Sequence, residues 1–204
     1  MAMMKKIGLF GGTFDPVHLG HMHIAQAFAD ELELDMVVFL PAGDPYHKHA
    51  PVASATHRLA MAQLATAGDE RFAVSDCDMV RDGPTYTFDT VQIFRQQFPS
   101  ARLHWLLGMD SLLQLHTWRR WQALVRQIGV AVAARAGDNL NQAPPALHGW
   151  IGEALQSGDL HILKAPLSSI SSTDIRQRIR QSQSLEGLVQ AEVADYIRQH
   201  RLYR

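Results

Sequence analysis

The apolar run Ile7-Gly8-Leu9-Phe10 leads directly into Gly11-Gly12-Thr13-Phe14-Asp15-Pro16-Val17-His18-Leu19-Gly20-His21, and helical spacing begins beyond it. This reads as a first strand turning into a first helix, the junction at which open α/β sheets bind phosphates. Gly11 and Gly12 allow the backbone to approach a ligand closely, and Thr13 and Phe14 can offer backbone N–H groups to it. His18 and His21, three apart at the start of the predicted helix, project from one face as side-chain donors. The segment suits a nucleotide triphosphate.

Two familiar phosphate loops are excluded. The chain has only four lysines, none after a glycine, so a Walker A loop is absent. The glycines of this segment fall at Gly8, Gly11, Gly12 and Gly20, which does not make G-x-G-x-x-G. Zinc ligation by His18, His21 and His23 is a further reading, but His23 should point to a different side of the helix from His21, and no metal site is assigned.

The rest of the chain alternates short apolar runs with helical patterns. Strands are predicted at Lys6 to Phe10, Met36 to Leu40, Phe72 to Ser75, Leu103 to Leu107, Ile128 to Ala134 and Leu160 to Leu163. Helices are predicted at His18 to Leu32, with Ile24, Ala25 and Phe28 on one face, and at Thr56 to Ala67, Phe88 to Phe98, Trp118 to Arg126 and Ala146 to Gln156. Arg135 to Pro145 has the composition of a surface excursion. The rhythm implies an α/β fold: a Rossmann-like, doubly wound parallel sheet with a small helical C-terminal part, in one domain spanning residues 1–204.

At 204 residues and 47% hydrophobic content, such a chain buries a full core without staples. Nineteen basic and 20 acidic residues lack the dense positive surface that duplex nucleic acid requires, so a small-molecule partner is expected. The single cysteine, Cys77, excludes an intrachain disulfide and implies a reducing, cytoplasmic compartment. The N-terminal run is too short for a signal-peptide core or a membrane span.

A second phosphate-side signature follows the last predicted strand. In Ile170-Ser171-Ser172-Thr173-Asp174-Ile175-Arg176, Ser171 or Ser172 caps a new helix. The cap hydroxyls, the first-turn N–H groups around Thr173 and the Arg176 guanidinium together suit phosphate oxygens, although the same residues also make ordinary capping chemistry.

The two signatures together resemble the nucleotidyltransferase superfamily marked by H-x-G-H and I-S-S-T-x-x-R motifs. Over essentially its full length the chain resembles the bacterial nicotinate mononucleotide adenylyltransferases. That match rests on Gly11 to His18, Pro41-Ala42 with His47-Lys48, Pro84-Thr85-Tyr86-Thr87, Gly108-Met109-Asp110-Ser111-Leu112, Trp118 and Leu202-Tyr203-Arg204. Tyr46 stands where this family commonly has a second proline.

The resemblance implies adenylyl transfer between ATP and nicotinate mononucleotide, with Mg²⁺ on the triphosphate. Such chemistry joins two anions, so it needs positioning and donor or positive groups rather than a covalent nucleophile. His18, His21, Lys48 and Arg176 fit that demand, while Asp15 suits orienting a donor, holding the metal or simply capping a turn. Gly108 and Asp110 end a predicted strand, where Asp110 can accept from a ribose or cap the next helix. Trp118 offers a flat face for a pyridinium ring or belongs to the core, and Tyr86 and Thr87 lie at a helix start whose N–H groups can receive a carboxylate. In the family this corner recognises the nicotinate end, a role the resemblance carries to Thr87 and Trp118. Lys48 and Arg135 complete the mononucleotide side, and Arg119 and Arg120 read as surface charge. The rival readings are a phosphopantetheine adenylyltransferase, which should lack the Trp118 segment, and a non-catalytic nucleotide-binding module. A class I aminoacyl-tRNA synthetase would need a K-M-S-K-S segment that is not present.

Overall fold

A computed structural model describes residues 4–43, 51–81, 83–135 and 137–204. Its sheet has six strands: β1 (Lys6–Gly12), β2 (Met36–Pro41), β3 (Phe72–Val74), β4 (Arg102–Gly108), β5 (Gly129–Ala133) and β6 (Leu160–Ile162). They lie in the order β3-β2-β1-β4-β5-β6, so the order reverses between β1 and β4 as in a doubly wound sheet. The β1–β4, β4–β5 and β5–β6 pairs are parallel, with Leu9 beside Trp105 and Trp105 beside Val130. Parallel strands covered on both faces read as continuous apolar runs. Accordingly, Val37 to Leu40, Leu103 to Leu107 and Val130 to Ala133 are buried throughout.

The helices are α1 (Leu19–Leu32), α2 (Ala55–Thr66), α3 (Thr87–Gln97), α4 (Met109–Leu113), α5 (Trp121–Val125), α6 (Pro145–Ser157), α7 (Ser172–Arg180) and α8 (Ala191–Gln199). The inward face of α1 is Ala25, Phe28 and Ala29, with Ile24 only half-buried. The chain divides into two compact units. One comprises the segment ending at Phe10, Ala27–Val37 and Tyr86–Leu167; the other comprises Gly11–Gln26, Val38–Thr85 and Ser168–Arg204.

One predicted element needs correction. In place of a helix from Trp118 to Arg126, the chain follows α4 and a 3₁₀ turn at Leu115–Thr117 with an extended Trp118 and then the short α5. Met109, Leu112 and Leu115 are buried every third residue, a spacing that suits short tight turns better than a 3.6-residue helix. Arg120 then takes a left-handed φ of 55° immediately before α5 and stops a helix from running back to Trp118. The Arg135 to Pro145 excursion contains a further 3₁₀ turn at Leu140–Gln142.

Candidate active site

All the described residues of the two phosphate signatures fall in the second unit. After β1, Phe14 adopts a left-handed φ of 50° and folds its ring back, leaving it 2% exposed. A Cβ at Gly12 would lie 2.7 Å from that ring, so the second glycine is needed for the fold-back. Phe14 packs edge-on to His21 at 5.0 Å and tilted against Phe39 at 5.6 Å. It therefore gives His21 an apolar support.

His18 and His21 hold each other. The backbone N–H of His18 donates to His21 Nδ1 at 3.2 Å, the N–H of His21 is shared between the His18 carbonyl at 2.9 Å and His18 Nδ1 at 3.3 Å, and the rings stack 3.7 Å apart. With each Nδ1 accepting, the hydrogen-bond pattern assigns the ring proton to Nε2 on both residues. Burial lowers the His18 pKa to about 4, and burial followed by the neighbouring His18 charge pushes His21 well below its ordinary value. At neutral pH the pair are therefore neutral Nε2–H donors, not cations. Gly20 makes the arrangement possible, since a Cβ there would meet His18 Nδ1 at 3.0 Å. His23 is exposed, as its position on the helix predicts.

Asp15 ties this loop to distant parts of the unit. Its carboxylate accepts from the N–H groups of Val52 and Ala53 at 2.8 and 3.1 Å and from the Tyr203 hydroxyl at 2.8 Å. Arg176 donates from Nη1 to the Asp15 carbonyl at 2.7 Å, with the same nitrogen 3.9 Å from the carboxylate. A carboxylate so engaged acts as a structural hub for the loop. Burial and then the Asp15 charge push the Tyr203 hydroxyl pKa up, so Tyr203 remains a donor.

At α7 the cap is Ser171, whose Oγ accepts from Asp174 N–H at 3.1 Å. Ser172 donates its hydroxyl to the Pro16 carbonyl at 2.9 Å and so braces α7 against the first loop. Its hydrogen is therefore spent on protein, as is the Asp174 N–H at the Ser171 cap. Arg176 Nη2 also reaches Thr173 Oγ1 at 3.3 Å.

The sequence reading missed Arg58. It is 1% exposed and donates from Nη1 to Thr13 O at 2.8 Å, from Nη2 to Gly43 O at 3.1 Å and from Nε to Ala53 O at 3.3 Å. A signal was available. Arg58 shares the buried stripe of α2 with Met61, Ala62 and Ala65, where an unneeded charge would be strongly disfavoured. Lys48 lies outside the described residues.

The remaining candidates belong to the first unit. Tyr86 precedes α3 in extended conformation, so Thr87 presents a first-turn N–H. Arg119 lies over the Tyr86 ring at 4.8 Å and pairs with Asp89 at 3.3 Å, while Arg120 lies 5.2 Å from the Phe88 ring. The two arginines thus join the Trp118 segment to the first turn of α3, beyond the surface charge they were read as. Trp118 is half-buried and meets Trp105 edge-on at 6.5 Å. Gly108 caps α4, so Asp110 stands inside the first turn and not at its cap. Its exposed carboxylate folds over Gly108, where a Cβ would lie 2.8 Å from Oδ1. Arg135 is exposed, and its backbone N–H closes a turn onto Asp138 at 2.6 Å.

The family described as cytidylyltransferase-like matches residues 9–178. A Neisseria meningitidis protein named "Probable nicotinate-nucleotide adenylyltransferase" is 64% identical over 200 residues, covering 98% of this chain and 99% of that protein. A Bordetella petrii protein of the same name is 44% identical, covering 98% and 100%. Among solved structures, Plasmodium falciparum nicotinic acid mononucleotide adenylyltransferase complexed with NaAD superposes with a TM-score of 0.77 at 17% identity, covering 98% of this chain and 97% of that one. At that identity the likeness concerns the fold.

Proposed function

The chain belongs to the cytidylyltransferase-like family, and we propose that within it this enzyme joins nicotinate mononucleotide to the adenylyl group of ATP, giving nicotinate adenine dinucleotide and pyrophosphate. The near-complete coverage of its relatives supports reading the whole chain as one nucleotidyltransferase domain on the route to NAD, and the single cysteine, Cys77, fits work in the reducing cytoplasm. The observation that carries the chemistry is the His18–His21 pair: two neutral imidazoles locked by each other's backbone, each with its proton on Nε2.

A phosphate oxygen of the mononucleotide attacks the α-phosphorus, and the bond to the bridging oxygen of the β-phosphate breaks. Negative charge builds on the α-phosphate oxygens and on the leaving pyrophosphate. Fixed donors lower that barrier most when they need not reorganise. We assign that role to His18 and His21, with the α7 N-terminus at Ser171 to Thr173 and Arg176 serving the outer phosphates and Gly11 to Phe14 supplying backbone contact. Gly108 and Asp110 serve the nucleotide ribose. Thr87, Tyr86 and Trp118 receive the nicotinate ring and its carboxylate, and Lys48 and Arg135 the mononucleotide phosphate. Mg²⁺ enters as part of the triphosphate substrate. It normally keeps several waters and binds phosphates through few protein ligands, and no group of three His, Cys, Asp or Glu side chains poised for a metal occurs among the described residues.

Purified protein given ATP, Mg²⁺ and nicotinate mononucleotide should release pyrophosphate and form the dinucleotide, resolved by chromatography. Preferential turnover of phosphopantetheine, or ATP binding without product from any acceptor, would overturn the assignment.

A further inference from the structure

We propose that Arg58 is a positioning residue for ATP, acting through the Thr13–Phe14 peptide, and this deepens the adenylyltransferase reading on which it rests. In a planar trans peptide the carbonyl of one residue and the N–H of the next point in opposite directions. Arg58 Nη1 holds the Thr13 carbonyl inward at 2.8 Å, so the Phe14 N–H is aimed away from the guanidinium. The same fork fixes two other turns of the unit, at Gly43 and Ala53. Ala53 also donates its N–H to Asp15, the residue whose carbonyl holds Arg176. One buried guanidinium thus sets both the direction of a phosphate-loop peptide and, through Ala53 and Asp15, the anchor of the second phosphate signature.

The fork explains why this position is arginine. A methionine of similar length would leave three carbonyls without their donor, and a lysine ammonium cannot span three carbonyls in one plane. Arg58 also lies on the buried face of α2, so its charge is fixed behind the loop rather than screened by solvent.

The test uses the full-length enzyme with Arg58→Lys, Arg58→Met and Arg58→Ala, reading both Michaelis constants, the ATP dissociation constant by calorimetry, and Tm. Losing one directed donor predicts an ATP KM and Kd raised by about tenfold or more in Arg58→Met, with nicotinate mononucleotide KM held within about twofold. Arg58→Lys should stay within about threefold of Arg58→Met, because charge without the fork does not aim the peptide. Methylguanidinium should restore ATP affinity to Arg58→Ala in a saturable way. Should Arg58→Met fail to fold, Arg58→Lys and the methylguanidinium titration decide. Equal losses for both substrates, or wild-type ATP affinity in Arg58→Lys, would overturn the proposal. The calorimetric ATP measurement needs no acceptor, so failure of the nicotinate assignment would appear separately, as absence of dinucleotide from the wild-type enzyme.

Discussion

The second unit holds its phosphate signatures with mutually bracing bonds, part-buried except for the buried Asp15–Tyr203 bond: His18 with His21, Asp15 with Tyr203 and Arg176, Ser172 with Pro16, Arg58 with Thr13. In the first unit, Tyr86, Thr87 and Trp118 are half-buried, and Asp110 and Arg135 are exposed. The difference fits the task proposed for each set of residues. Donors that stabilise developing charge contribute only if fixed beforehand, whereas a surface that recognises one flat ring can tolerate looser support. Each unit nevertheless buries one imidazole to the same degree of pKa depression, and those two histidines offer the sharpest contrast.

Burial lowers His18 and His104 alike from 6.5 to about 4; at His104 the nearby Arg102 and Lys6 charges add to it. In the unfolded chain each takes up a proton near pH 6.5, and in the folded protein neither does so until about pH 4. Native stability therefore does not depend on these groups above pH 6.5 and falls as pH drops from 6.5 to 4. The limit is about 3 kcal/mol for each group, since one pKa unit corresponds to about 1.4 kcal/mol. Tm measured across that window should flatten in both His104→Gln and His18→Asn, while only His18→Asn loses turnover. A loss of kcat in His104→Gln comparable to that in His18→Asn would erase the distinction between a core imidazole and a working one.

On the phosphate side, His18→Ala should lower kcat by about 100-fold or more, about 2.7 kcal/mol, with the fold intact by Tm. Arg176→Ala should raise ATP KM by about tenfold or more and lower kcat, since charge-assisted hydrogen bonds to phosphate are the stronger kind. Steady-state kinetics with both substrates varied checks each variant. A His18→Ala enzyme that keeps most of its kcat would reduce the stacked pair to a helix-start structure, and the contrast between the units would lose its chemical meaning.

How far each region could be read from sequence follows the range of the interactions that build it. The first βαβ unit was legible because apolar runs and two glycines act locally, and the Ser171 cap because its partner is three residues away. The partners of Asp15 lie 37, 38 and 188 residues along the chain, beyond any local pattern, so its role as a hub was not legible. Arg58 announces itself only as a charge on an apolar stripe, and nothing nearby says which carbonyls it serves. The segment from Trp118 to Arg126 reads as one helix because Trp118, Trp121 and Leu124 mimic a helical face over one turn, whereas the left-handed Arg120 confines the helix to Trp121–Val125.

The recognition side should respond less and more selectively. Trp118 lies in an extended stretch between a 3₁₀ turn and α5, its ring half-buried and edge-on to Trp105, and it approaches the start of α3 through Arg119. One side of the indole is thus supported by Trp105, and the stacking role of the rest of the ring is tested by substitution. Stacking on a pyridinium is worth about 1 to 2 kcal/mol when partly desolvated, so Trp118→Ala should raise nicotinate mononucleotide KM by about 5- to 30-fold. ATP KM should hardly move. Trp118→Phe, which keeps a smaller aromatic face, should recover part of that loss, a result that packing against Trp105 alone does not predict. Equal losses for both substrates together with a lowered Tm would show that the indole serves the core, and the pyridine pocket would then have to be sought elsewhere in the protein.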